Sequence, residues 1–95
     1  MAPVEVNLFA TFKAIAGKKQ LFFPVLPGQT IQDTLFAVLE ELPTLRPHWL
    51  DTDGHPRPYV HIYLNQADSA TLPDGLRTIV RDGDILDFIP PVAGG

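Results

Sequence analysis

Apolar and polar residues alternate from Val4 to Leu8, with Val4, Val6 and Leu8 on one side and Glu5 and Asn7 on the other. That period of two marks a half-buried strand. A second apolar run, Gln20 to Leu26, contains Phe22, Phe23 and Val25 and follows Gly17-Lys18-Lys19 after a connection of about ten residues, a spacing that predicts an antiparallel hairpin. From Ile31 the period lengthens: Ile31, Leu35, Val38, Leu39 and Leu42 form one stripe at 3.6 residues per turn. Thr30 stands at the N-cap with Asp33 three residues on, Pro27-Gly28-Gln29 precedes it, and Pro43 closes the helix. Residues 43 to 58 are rich in proline and turn formers and offer Leu45, Trp49 and Leu50 to pack a short helical turn over the core. Val60, Ile62 and Leu64 alternate with Tyr59, His61 and Tyr63 in a third strand ending at Asn65. Residues 65 to 82 read as loop, with a short strand expected near Ser69 to Leu72. Asp82-Gly83-Asp84 is a turn, and Ile85 to Ile89 is the last strand.

The order strand, strand, helix, strand, loops, strand describes an α+β fold. A hairpin, a crossover helix on one face and a mixed sheet make a β-grasp, or ubiquitin-like, roll, and the right-handed crossover rule pairs the last strand beside the first. Other α+β rolls fit the same string. The expected division is a β-grasp domain over residues 1–89 and an extended, flexible C-terminal tail over 90–95.

With 95 residues, 45% hydrophobic and 19% charged, the chain is outside the regime of disorder and has room for a single core. A net charge of −4 without a basic run argues against nucleic acid as a partner. There is no basic-then-apolar leader and no run long enough to span a membrane, so the expectation is a soluble cytoplasmic protein. Cysteine is absent, so no thiolate in this chain can be a nucleophile or a metal ligand. Any sulfur chemistry must draw its sulfur from outside.

Asp51-Thr52-Asp53-Gly54 lacks the further oxygen ligands of a calcium loop and reads as a polar turn. His48, His55 and His61 lack zinc-ligand spacing, so the expectation for a metal is none. Pro24-Val25-Leu26-Pro27 and Pro43 to Pro47 offer PxxP-like text but serve more simply to bound secondary structure. No phosphate loop, nucleophile elbow or triad is present, and the domain reads as non-catalytic. Lys13, Lys18 and Lys19 sit at the hairpin end, as a solvated turn or as contacts for a partner. Alternation places Phe9, Ile85 and Ile89 opposite Leu8, Leu86 and Phe88, either on an exposed docking face or beneath the 43–58 segment.

The ending Pro90-Pro91-Val92-Ala93-Gly94-Gly95 carries the clearest chemical text. A main-chain carboxylate is ionised near neutral pH and is a poor electrophile until activated, for instance as an adenylate. Glycine permits close backbone approach inside a partner's cleft, and the prolines hold an arm extended. Stretched, Pro90 to Gly95 reaches about 20 Å.

Five landmarks then resemble the MoaD/ThiS group of ubiquitin-like sulfur carriers. They are Phe9-Ala10-Thr11-Phe12-Lys13 with Gly17, Asn65-Gln66-Ala67-Asp68, Gly75-Leu76-Arg77-Thr78, Asp82-Gly83-Asp84, and the Pro-Pro-Val-Ala-Gly-Gly ending. The resemblance covers essentially the whole chain. It implies that a ubiquitin-activating-type adenylyltransferase uses Mg-ATP to adenylate the Gly95 carboxylate. A sulfurtransferase or cysteine desulfurase then converts it to a thiocarboxylate, and no cofactor is bound by the chain itself. Gly94, Ala93, Val92, Pro91, Phe9 and Ile89 are the expected binding residues, with Gly95 as the reacting group.

For the acceptor, the resemblance favours the small subunit of molybdopterin synthase, whose tail enters a large subunit, in molybdenum cofactor biosynthesis. The chain departs from the compact form of that subunit in its longer connection after the helix and in Arg77, where Asp is common. That connection, followed by Tyr59 to Asn65, is similar to the actinobacterial carrier serving a cysteine-synthase-like enzyme. Thiamine biosynthesis ranks third. Conjugation of Gly95 to a target lysine, as a protein modifier, begins with the same adenylate and is the main alternative of another class. A non-covalent adaptor that never uses its terminus is a third.

Overall fold

The alternation at the N-terminus folds as strand β1, Val4–Leu8, whose inward residues Val4, Val6 and Leu8 are buried. The computed structural model describes residues 2–91. Strand β2, Gln20–Phe23, pairs antiparallel with β1, and the connection between them is a seven-residue helix, α1, Ala10–Ala16, where a plain turn was expected. Phe12, Ile15 and Ala16 lie at i, i+3 and i+4 and pack inward, which gives this short helix its tertiary support. Gly17 ends it in the left-handed region at φ 72, donating its N–H to the Lys13 carbonyl. Strand β2 is also shorter than the apolar run, because Pro24 interrupts it.

Helix α2, Ile31–Glu41, follows the predicted stripe. Ile31, Leu35, Val38 and Leu39 are fully buried and Leu42 partly so. Its start is a reciprocal capping box, in which Thr30 Oγ1 accepts from the Asp33 N–H at 3.1 Å and Asp33 Oδ2 accepts from the Thr30 N–H at 3.0 Å. Residues 43 to 50 form a cap over the core: a 3-10 turn, Pro43–Leu45, runs into α3, Arg46–Trp49, and buries Leu45, Trp49 and Leu50.

Strand β3, His61–Leu64, and a two-residue strand β4, Ala67–Asp68, form a tight hairpin. The extra strand falls before Ser69, and Ser69–Thr71 is a 3-10 turn, so the strand expected near Ser69 to Leu72 is corrected. The Asp68 carboxylate accepts the Ala70 N–H at 2.9 Å and its carbonyl accepts the Thr71 hydroxyl, so local side-chain bonds draw the chain into a turn in place of a ladder. Strand β5, Ile85–Ile89, lies parallel to β1 and antiparallel to β3. The sheet order is β2-β1-β5-β3-β4, the mixed sheet and single main helix of a β-grasp roll. No helix among the described residues is long and apolar enough to cross a membrane.

The middle of the core is aromatic. Trp49 stacks on Phe88 with ring centroids 4.5 Å apart and planes 9° from parallel, and Phe12 meets Trp49 edge-on at 5.6 Å. Such pairs add about 0.5–1.5 kcal/mol each beyond area burial.

Candidate functional site

Parity along the strands decides what the outer face of the sheet carries. With Val4, Val6, Leu8, Leu86, Phe88 and Ile62 turned inward, Glu5, Asn7, Ile85, Asp87, Ile89, His61 and Tyr63 fall on the outside. Across the centre of this face the polar side chains are tied together. Asn7 donates through Nδ2 to Glu5 Oε2 and to Asp87 Oδ1, both at 2.9 Å, and its Oδ1 accepts from Gln20 Nε2 at 3.0 Å. One amide thus holds two carboxylates of neighbouring strands in place.

Apolar side chains flank this ladder. Phe9 is 42% exposed and Ile85 38% exposed, and together with Glu5, Asn7 and Asp87 they line a shallow concavity of about 390 Å³. Phe9 therefore stands on the open face and not beneath residues 43–58, which cover the opposite side through Trp49 and Phe88. Ile89 is half-buried, paired with His61 across β3 and β5. Phe9 extends β1 with φ −118 and ψ 153, and its N–H donates to the Phe88 carbonyl at 3.2 Å. The next residue, Ala10, turns sharply with φ 50, a left-handed conformation that costs a non-glycine residue about 1–2 kcal/mol.

The parallel pairing of β1 and β5 brings Phe9 and Ile89 to the same pole of the sheet. The chain leaves the sheet there. Pro90 is buried and Pro91 exposed. Lys13 on α1 and Lys19 beside β2 line a second concavity of about 300 Å³ with Phe9, and Lys13, Lys18 and Lys19 are all exposed, as a solvated hairpin end requires. Gly95, Gly94, Ala93 and Val92 lie outside the described residues.

The internal landmarks prove to be structural devices. Asn65 and Gln66, with φ 49 and 74, make the two-residue turn between β3 and β4, a geometry that suits Asn-Gly best. The Asn65 side chain bridges to β5, donating to Asp84 Oδ1 at 3.0 Å and accepting the Ile85 N–H at 2.9 Å. Asp84 Oδ2 in turn accepts the Arg81 N–H across the Asp82-Gly83 turn. Gly75–Arg77 is a 3-10 turn, the Thr78 hydroxyl closes it on the Gly75 carbonyl, and the Thr78 carbonyl receives the Ile31 N–H at the start of α2.

Residues 51–55 are indeed a tight turn. Asp51 Oδ1 accepts the Asp53 and His55 N–H groups at 2.9 and 3.0 Å. The His55 N–H is the main reason that the Asp51 carboxyl titrates below its ordinary value. Asp51, Asp53 and His55 bring one donor atom each within 4.8 Å of one another on this exposed loop. The hydrogen bonds within the turn account for their approach.

Asn7 and Asp87 are the residues the sequence reading missed. Alternation places both on the outer face, but only the β1–β5 register, Asn7 opposite Asp87, makes them neighbours.

Residues 6–95 match the ThiS family. The chain is 34% identical over 92 residues to small archaeal modifier protein 3 of Haloferax volcanii, covering 97% of this chain and 98% of that protein. Among solved structures it is similar to SAMP1 from Haloferax volcanii, with a TM-score of 0.88, 28% identity and coverage of 99% and 100% of the two chains. It is also similar to a chain in the Amycolatopsis orientalis BexX/CysO complex, with a TM-score of 0.74, 25% identity and coverage of 97% and 99%.

Proposed function

Because this chain belongs to the ThiS family, we propose that it is an acyl carrier whose Gly95 carboxylate is activated as an adenylate and converted to a thiocarboxylate. The observation that carries this reading is the placement of the tail's root: β5 delivers Pro90 and Pro91 from the pole where Phe9, Ile89 and Lys13 stand. An activating enzyme that grips the outer face through Phe9 and Ile85 has the arm within its reach. From the last buried residue onward, Pro91 to Gly95 extends at most about 18 Å.

The chemistry follows from the carboxylate. Attack of a carboxylate oxygen on the α-phosphorus of Mg-ATP, used by the partner, forms the acyl adenylate and releases pyrophosphate. A sulfurtransferase persulfide then attacks the acyl carbon and AMP leaves, giving an acyl disulfide. A second thiol takes up the inner sulfur in a disulfide, and the outer sulfur stays on Gly95 as the thiocarboxylate. This chain supplies no thiol, in keeping with its lack of cysteine. Its own part is to present Gly94-Gly95 and to hold Phe9, Ile85 and Ile89 for docking.

The proposed destination of the sulfur is a molybdopterin synthase large subunit. A second reading is favoured by the kinship with a protein named as a modifier: the same adenylate is captured by a lysine amine of a target, AMP leaves and an isopeptide bond forms. Intact mass spectrometry separates them. Carrier incubated with an adenylyltransferase of the ubiquitin-activating type, Mg-ATP and a persulfide donor should show one oxygen-to-sulfur exchange at Gly95. Lysine-linked adducts without that exchange would favour the modifier. A Gly95 deletion that leaves cellular function intact would overturn both.

A further inference from the structure

The sheet has an open edge, and it is not built like a protected one. Strand β2 ends the order β2-β1-β5-β3-β4. In the antiparallel pair the Leu8 N–H donates to the Lys19 carbonyl at 2.9 Å, and the register continues as Val6 opposite Leu21 and Val4 opposite Phe23. Bonding alternates along such a ladder, so Lys19, Leu21 and Phe23 turn their backbone groups towards β1. Gln20 and Phe22 therefore direct their N–H and C=O groups to the open side, and none of the described backbone hydrogen bonds outside the sheet uses them. Pro24 then stops the row, since it has no N–H.

The flanks of this edge differ in kind. On the outer face Phe22 is 56% exposed. On the helix side a groove of about 360 Å³ runs between β2 and α2, lined among others by Phe23, Pro24, Leu26, Pro27, Asp33 and Ala37, with Leu26 65% exposed. Lys18 and Lys19 stand at the start of the strand and are exposed, and with Lys13 they are all the lysines of a chain whose net charge is −4. Lysine and a short strand alone would suit edge protection, but a protected edge does not place an exposed Phe and Leu beside an apolar groove.

We propose that the β2 edge is a peptide-binding site that takes an extended segment of a partner protein as a sixth strand. The segment is apolar at alternate positions and acidic at the end that lies against Lys18 and Lys19. Two donors and two acceptors of Gln20 and Phe22 supply the backbone pairing, and alternate side chains of the guest enter the groove beside Phe23 and Leu26. The lysines choose the charge of the flank. This site is on the far edge from β3 and makes no use of Gly95, so its fate is independent of the carrier reading.

The test uses the full chain, labelled with nitrogen-15, and a blocked peptide of alternating valine and threonine followed by three glutamates. Amide shifts are expected at Gln20 and Phe22 and at the groove residues Leu26 and Ala37, with none at Tyr63 or Ile85. Replacing the glutamates with lysines should weaken binding about tenfold at low ionic strength. The double variant Lys18→Glu, Lys19→Glu should reverse that preference. Of two peptides N-methylated at alternate residues, one should bind and the other should not, because only one set of N–H groups faces β2. Phe22→Ser should weaken the peptide while leaving the melting temperature within a few degrees of the parent, since Phe22 is not in the core. Equal binding of both methylated peptides, shifts centred on Ile85 and Asp87, or no shift at millimolar peptide would each overturn the proposal. So would concentration-dependent shifts at Gln20 and Phe22 without peptide, which would give the edge to a second copy.

Discussion

Strand β5 has two sides with opposite fates. Leu86 and Phe88 point inward and are fully buried, Phe88 beneath the Trp49 ring, while Ile85, Asp87 and Ile89 point outward to a face that includes Phe9 and Asn7. Residues adjacent in sequence thus answer to different demands. The inner ones hold the sheet to its cap, and the outer ones are available to another protein.

The largest effect should come from the inner side. Phe88→Ala removes the ring that Trp49 stacks on and should cost about 3–5 kcal/mol in urea denaturation, a large share of a small domain's total of about 5–15 kcal/mol. Trp49→Phe is the informative companion. The Trp49 indole N–H is buried without a hydrogen-bond partner among the described residues, an arrangement that costs about 1–3 kcal/mol. Its removal offsets the lost area, so a net change below about 1.5 kcal/mol is expected. A loss as large as that of Phe88→Ala would mean that the indole shape itself secures the cap.

On the outer side the double change Phe9→Ser, Ile89→Ser should lower kcat/KM for adenylation roughly 10- to 100-fold, equivalent to about 1.4–2.8 kcal/mol. Global stability should fall much less than with Phe88→Ala. Unfolding by these changes would break the division between the two faces. At the rim, Gln66→Gly should raise stability by about 1 kcal/mol in urea denaturation, because Gln66 is held at φ 74.

The smallest effect concerns the cap's far loop and depends on pH. Asp51 titrates below its ordinary value of 3.8 in the folded chain, so its charged form favours the folded turn. That contribution is complete above about pH 4 and disappears as pH falls through the lowered pKa. Amide exchange at His55 and Asp53 should be faster in Asp51→Asn than in the parent at pH 6, and the two should converge under strongly acidic conditions. Equal exchange in the two proteins at pH 6 would assign the protection to the backbone bridge between Leu50 and Pro56 instead.

What was legible in the sequence was whatever repeated with a period. Val4 to Leu8, the Ile31 to Leu42 stripe and Ile85 to Ile89 folded as their spacing required, the third run did so from His61 onward while Tyr59 and Val60 fell in the turn before it, and Thr30 with Asp33 formed the cap. Helix α1 was missed although Phe12, Ile15, Ala16 and the closing Gly17 were in plain view, because two turns of helix are too short to outweigh a hairpin spacing. Strand β4 is two residues long and leaves no period at all. The Asn7 bridge needed the register of two strands, with Asn7 and Asp87 lying 80 positions apart, which no local pattern contains. The reactive end was legible only as text, and Val92 to Gly95 lie outside the described residues.

The central place of β5 has a consequence for how the molecule comes into being. Synthesis proceeds from the N-terminus, yet the strand flanked by both β1 and β3 is the last of the described strands to be made. Until Ile85–Ile89 emerges, the sheet exists only as two separate hairpins, β1 with β2 and β3 with β4, and an isolated hairpin is at best marginally stable. Insertion of β5 joins them and seats Phe88 under Trp49 in one late, non-local event. The arm is attached directly to the strand that completes the fold. A nascent chain that still lacks β5 therefore has no assembled outer face for a partner to grip.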